Sequence, residues 1–304
     1  MSLQAPNCIM MVRPASFGPN PETEDSNIFQ AKATERPEKI IKMAQAEFDA
    51  MAQTIIENGI DLIQIEDTPD PAKTDAIFPN NWISTHSDGK VVFYPMLSTN
   101  RRLERRVDIL QKLEALLHPI SELIDLSKHE ISNTFLEGTG SIVFDYDNNI
   151  AFACASSRTN KELFFELCML LDVEPVWFDA KSPNGGEIYH TNVILSIGEK
   201  YVIIADELIP SEERILIMAK LNSLKKEIIS INFQQACNFA GNIIEVQNKR
   251  EENFLLMSST AWHSFKPNQK IQLETKAKIL VFDIPTIEKY GGGSVRCMVC
   301  GIFN

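Results

Sequence analysis

Asn192-Val193-Ile194-Leu195-Ser196-Ile197-Gly198-Glu199-Lys200-Tyr201-Val202-Ile203-Ile204-Ala205 opens on an irregular turn and runs through an apolar strand, a polar turn and a second apolar strand. Apolar runs of this length around a glycine-containing turn predict a β-hairpin. The same order recurs at residues 81–96, 140–154 and 242–257, so successive starts lie 59, 52 and 50 residues apart. The turns are Ser87-Asp88-Gly89-Lys90, Tyr146-Asp147-Asn148-Asn149 and Gln247-Asn248-Lys249-Arg250. A period near 50 residues means one supersecondary unit used several times.

Between the hairpins, apolar residues recur at three- and four-residue steps over 35–58, 101–117, 159–171 and 211–226, which predicts helices. Short strands follow at 61–65, 120–126, 174–178, 227–231 and 278–282. Five helix-plus-strand units face only four complete hairpins. A fifth hairpin can be assembled from 294–303 and 7–13, which joins the two ends of the chain. The expectation is an α/β fold of five ββαβ-like units, a five-bladed propeller closed by pairing of the N- and C-terminal strands, with residues 1–304 in a single domain. Closure would remove exposed strand edges. It would also bring the irregular turns at 80–81, 137–140, 190–192, 241–242 and 291–297 to a common centre.

Composition narrows the function. The 304 residues are 44% hydrophobic, enough for a large core, and carry a formal net charge of −12. That charge disfavours nucleic-acid backbones and anionic membranes, and no apolar run approaches the roughly 20 residues of a membrane span. A cytoplasmic protein with a small-molecule partner is expected, and a homodimer stays open. Met1-Ser2-Leu3 reads as an expression scar. The six cysteines and five histidines, among them His118, are scattered, so neither a disulfide framework nor a metal site is expected. Cys297-Met298-Val299-Cys300 is formally a C-x-x-C pair without a second ligand pair.

Gly291-Gly292-Gly293-Ser294-Val295-Arg296-Cys297-Met298 puts a cysteine on a glycine-built backbone next to a cation in sequence, where an activated thiol is expected. The alternative is a small buried residue. With Glu137 and His190 at the starts of other units, the chain offers an acid, a base and a nucleophile.

These residues resemble the pentein superfamily of guanidine-modifying enzymes, which includes arginine deiminases, dimethylarginine hydrolases and amidinotransferases; the nearest likeness is to the citrulline-utilization hydrolases. Phe78-Pro79-Asn80-Asn81 stands in the place of a Phe-x-x-Asp motif whose carboxylate holds the substrate guanidinium. Leu136-Glu137-Gly138-Thr139-Gly140 is similar to the family's acidic loop, with Glu137 as the catalytic acid. Ser156-Ser157-Arg158-Thr159-Asn160 resembles the segment whose arginine grips the substrate α-carboxylate. His190-Thr191-Asn192 matches a His-x-Asp motif, and 291–298 matches the nucleophile loop. The resemblance implies Cys297, His190 and Glu137 as catalytic residues. It implies Asn81, Asn80, Asn192, Arg158, Phe78, Gly292 and Gly293 as substrate-binding residues, with no cofactor and no metal.

Asn81 and Asn192 stand where arginine-processing relatives carry carboxylates. An amide cannot neutralise a guanidinium, and a buried cation without a counter-charge costs several kcal/mol or so. A neutral ureido group suits an amide pair better. The expected reaction is hydrolysis of citrulline to ornithine and carbamate through an S-carbamoyl intermediate on Cys297. Action on the guanidinium of arginine or a methylarginine, as a deiminase or an amidinotransferase, stays open, with Asp75 or Glu245 supplying a carboxylate, as does a non-catalytic role in binding a ligand or a protein.

Overall fold

The computed structural model describes residues 4–23, 27, 29–116 and 120–303; Met1, Ser2, Leu3 and His118 lie outside them. Its strands form five separate three-stranded sheets of one design. In each, a first strand pairs antiparallel with a second, and a third pairs parallel with that second. Leu195–Ile197, Tyr201–Ile204 and Glu227–Ser230 make one sheet, in the register Val202 opposite Ile197 and Tyr201 beside Glu227. Three others are Ile83–Thr85 with Lys90–Phe93 and Glu122–Asp125, Ile142–Asp145 with Ile150–Cys154 and Glu174–Phe178, and Ile244–Gln247 with Asn253–Ser258 and Lys278–Phe282.

The fifth sheet uses both ends of the chain. Cys300–Ile302 pairs antiparallel with Cys8–Arg13, with Cys8 opposite Ile302, and Asp61–Glu66 completes it in parallel. Among the described residues no strand ladder continues from one sheet into the next, although single hydrogen bonds such as Thr85 Oγ1 to Gly301 O cross between them.

Burial follows strand order. The first and second strands of the Leu195–Ile197 sheet are buried throughout, while third strands such as Glu122–Asp125 are mostly exposed. The third strands therefore lie toward the outside, where the helices pack. Pro37–Glu57 shows why a helix takes that place. Pro at its start suits a position whose N–H would go unused, and Ile40, Ala44, Phe48, Met51, Ala52 and Ile55 form one buried face at helical spacing.

The helix expected over 101–117 is divided. Asn100–Glu104 is a 3-10 turn, and only Val107–Leu116 is α-helical. The reason lies in Arg101, which is buried, pairs through two hydrogen bonds with Glu104 and reaches Phe78 O. Fixing that cation inward makes the first part of the segment a wall of the site rather than a surface helix.

Candidate active site

Each unit begins with a tight turn before its first strand, and four of these are short helical turns: Pro79–Asn81, Gly138–Ser141, Thr191–Val193 and Val295–Met298. They meet at close quarters. Gly138 has φ +47°, and a Cβ there would overlap the Asn80 carbonyl oxygen, so the residue type is what lets the two turns touch. Thr139 Oγ1 then donates to Asn80 O at 3.3 Å.

One pocket opens over this meeting point. Cys297, His190, Arg158, Asn81, Phe78, Gly292 and Gly293 line it, joined by Asp75, Arg101, Tyr189, Asn27 and Thr23. Glu137 stands behind His190, wholly buried, with Oε2 2.9 Å from His190 Nε2. Its Oε1 accepts from Leu97 N at 3.0 Å, and Arg158 Nη1 lies 3.4 Å from Oε2. Burial would raise the Glu137 pKa, but Arg158 and His190 outweigh it and hold it down at about 2. For His190 burial prevails over Glu137 and lowers the pKa to about 4. At neutral pH the ring is therefore uncharged. An ionised carboxylate only accepts, so Nε2 carries the proton and Nδ1 is left as a free base.

Cys297 is 3% exposed. Its Sγ lies 3.2 Å from Asn242 Nδ2 and 3.9 Å from Asn192 Nδ2. Arg296, its cationic neighbour in sequence, does not line this pocket. The Arg296 guanidinium donates to Val299 O at 2.9 Å and faces a second cavity of about 60 Å³, which Tyr146 and Cys300 also line. Consecutive residues of a helical turn point about 100° apart, so adjacency in the chain is not adjacency at the sulfur. Cys300 belongs to the core: its thiol approaches Ile83 O at 3.6 Å, and burial pushes it up to about 12. All six cysteines are free, so the C-x-x-C pair forms no disulfide.

Asn81 is held in a definite orientation. Arg101 Nη1 donates to Asn81 Oδ1 at 2.9 Å. Because a guanidinium only donates, the atom facing it must be the amide oxygen. Asn81 Nδ2 has no hydrogen-bond partner although it is buried, which leaves it as a donor turned away from Arg101. Asp75 brings a carboxylate to the same wall. Its Oδ2 accepts from Asn20 at 2.7 Å and lies 3.8 Å from Arg101, while Oδ1 has no partner. Burial raises the Asp75 pKa, with Arg101 pulling against it. Arg158 stacks over the Tyr189 ring at 5.1 Å, and the Tyr189 hydroxyl donates to Gly292 O at 2.9 Å.

The structure separates Asn80 and Asn192 from the pocket-lining set. Asn80 is fully buried behind Asn81, its amide group without partners. Asn192 Nδ2 donates to Thr139 O at 3.1 Å, and its side chain borders the second cavity and the rear of the sulfur. Arg101, Tyr189 and Asp75 enter the site from outside the five matched motifs. Glu245 lines the second cavity rather than this pocket, with burial raising its pKa to about 7.

Gly140 is wedged between two of these groups. A Cβ there would stand 2.7 Å from His190 Nδ1 and closer still to Asn81 Nδ2. Gly140→Ala is expected to lower kcat/KM on the order of 10²-fold by displacing the base and the donor, while far-ultraviolet circular dichroism stays that of the parent. Steady-state kinetics and a thermal melt on the same preparation check it.

The model of the family described as N,N-dimethylarginine dimethylhydrolase, eukaryotic, matches residues 13–304. The chain belongs to that family. None of the curated proteins compared with it matches. Among solved structures, the N-terminal domain of ArgZ, an arginine dihydrolase from the ornithine-ammonia cycle in cyanobacteria, bound to substrate, superposes with a TM-score of 0.75 at 16% identity, covering 97% of this chain and 98% of that one. A dimethylarginine hydrolase (DDAH) from Pseudomonas aeruginosa, complexed with citrulline, gives 0.67 at 14% identity, with 97% and 99% covered. Unliganded AgrE gives 0.74 at 17% identity, and this chain corresponds to 38% of it. The fold is accordingly the α/β pentein fold. The protein is a pentein guanidine-modifying enzyme, a cysteine-dependent hydrolase of C–N bonds. Among the described residues no helix is long and apolar enough to cross a membrane, and no group of three or more His, Cys, Asp and Glu is placed to hold a metal ion.

Proposed function

We propose that the protein hydrolyses the ureido group of citrulline, giving ornithine and carbamate, which decays to ammonia and carbon dioxide. The observation that carries this reading is the orientation of Asn81. With its oxygen bound to Arg101, it offers the pocket an N–H donor. A ureido carbonyl accepts from that donor; a guanidinium has only N–H groups and meets it donor to donor. Arg101 behind Asn81 adds a like charge against a bound guanidinium.

In the proposed reaction Cys297 gives its proton to His190 Nδ1 and the sulfur attacks the ureido carbon, forming a tetrahedral intermediate. The negative oxygen develops opposite the Asn81 donor. The imidazolium, held by Glu137, protonates the δ-nitrogen as the C–N bond breaks, and ornithine leaves. Water then loses a proton to His190 and attacks the S-carbamoyl carbon, which frees the thiol and releases carbamate. Arg158 is assigned to the substrate α-carboxylate, and Phe78, Gly292 and Gly293 to the walls around the side chain. The five sheets are read as blades of one ring within a single domain, residues 1–304.

Asp75 favours a second reading. A buried carboxylate with a partnerless oxygen is what a guanidinium would need, and ArgZ is an arginine dihydrolase. Incubating the purified protein separately with citrulline and arginine, with mass spectrometry of the products, decides between them. Ornithine from citrulline with arginine untouched supports the ureido reading; consumption of arginine at a comparable rate overturns it.

The lowered pKa of His190 sets a pH dependence. The reaction begins with Nδ1 unprotonated, and that form persists below the ordinary imidazole value down to about pH 4. The acid limb of kcat/KM is therefore expected near pH 4 rather than 6.5. Stability changes with the same sign. The contribution of His190 is complete above its unfolded pKa of 6.5 and is lost as pH falls towards 4. A pH–rate profile with parallel melts reads both, and an acid limb at 6.5 would exclude the neutral-base assignment.

A further inference from the structure

Asn242 starts the unit at 242–257, yet it matched no motif and carries no assigned role. It is 1% exposed, and its side chain is bound from two directions. Nδ2 donates to Asn192 O at 3.3 Å and points to Cys297 Sγ at 3.2 Å, while Oδ1 lies 3.5 Å from the same sulfur. A backbone carbonyl only accepts, so the atom facing Asn192 O is the nitrogen, and the second hydrogen of that NH₂ group is available to the sulfur. The backbone beneath is fixed: Asn242 N donates to Phe239 O at 2.9 Å, and Gly241 packs directly on the Val193 carbonyl.

Among the described residues, the polar side-chain partners of Sγ are Asn242 and Asn192, and the second is weaker. Asn192 Nδ2 spends a hydrogen on Thr139 O and stands 3.9 Å from the sulfur. Arg296 faces away. We propose that Asn242 is a further catalytic residue, the amide donor that stabilises the Cys297 thiolate and fixes the sulfur for attack. The proposal rests on Cys297 as the nucleophile and adds what holds its charge. A hydrogen bond given to an ionised group favours the ionised form. Asn242 is not the group that takes the proton, so it remains a donor after the proton has left for His190.

The test uses the thiol itself. The rate of Cys297 alkylation by iodoacetamide is followed by peptide mass spectrometry across the thiol titration range in the wild type, Asn242→Asp and Asn242→Ala. Asn242→Asp keeps the shape but replaces the donor with an acceptor; Asn242→Ala removes the group. The midpoint is expected to rise in both, so that alkylation at neutral pH slows about tenfold or more. Half-exposed Cys237 on the same chains serves as the internal reference and should not change. Coincident profiles for wild type and either folded variant, judged by circular dichroism, overturn the proposal. No substrate enters the assay, so a failure of the citrulline reading and a failure of this one are observed separately.

Discussion

Cys297→Ala is expected to abolish the proposed formation of product from citrulline, with a loss on the order of 10³-fold or more in kcat, while KM for any residual turnover changes little. The size of the effect follows from the substrate. A ureido carbon is resonance-stabilised, and the proposed route splits its hydrolysis into two displacements that both use this sulfur. Without it, neither the acyl-type intermediate nor the timing of proton transfer through His190 exists. Cys297→Ser separates chemistry from packing: it keeps the volume against Val295 and Phe78, but a hydroxyl beside a neutral imidazole of pKa about 4 meets a weak base. Both variants are expected to fold, because Cys297, although buried, has a small side chain and each change removes or replaces a single sulfur atom. The measurement is single-turnover mass spectrometry of the intact protein. A mass increase of one carbamoyl group in the wild type and none in either variant is the expected result; turnover persisting in Cys297→Ala would remove the thiol from the chemistry.

Local chemistry explains how far the sequence could be read. Strands 174–178 and 278–282 were legible to the residue, since β-rich runs bounded by turn or helix signals leave little choice of ends. The proximity of Cys297, His190 and Glu137 was legible for another reason: each starts a repeat unit, and register in a repeat becomes position in space. Arg101 was not legible. Its place in an apolar periodicity suggested a helix, and its burial is made tolerable by Glu104 in its own turn together with Asp75, Phe78 O and Asn81 from the 75–81 segment. Arg296 misled in the opposite sense, because chain adjacency to Cys297 suggested a guanidinium at the sulfur, whereas the turn directs it to Val299 O and the second cavity and leaves only a through-space charge interaction. Asn242 stood in register from the start, but only the distance to Sγ gives it a function to test.

Asn81→Asp is expected to reverse the preference for substrate. The new carboxylate keeps one oxygen on Arg101 Nη1, where Asn81 Oδ1 already accepts, so the local fold survives. Its other oxygen replaces the free amide donor beside His190 Nδ1. Against citrulline this puts acceptor to acceptor and removes the stabilisation of the tetrahedral oxygen; kcat/KM should fall about 10²- to 10⁴-fold, the range for sites that read a polar group by hydrogen bonding. Against arginine the same change, with Asp75 nearby, supplies the paired negative charge that a buried guanidinium requires. Citrulline should then appear as a product of arginine, since the thiol, base and acid are untouched. The pH profile adds an independent check. A second carboxylate next to the ring favours the imidazolium, so the acid limb should move up from about pH 4 towards the ordinary histidine value. Retained citrulline turnover with the acid limb unmoved would mean that Asn81 Nδ2 does not face the reacting group, and the ureido preference would then have to come from elsewhere in the pocket.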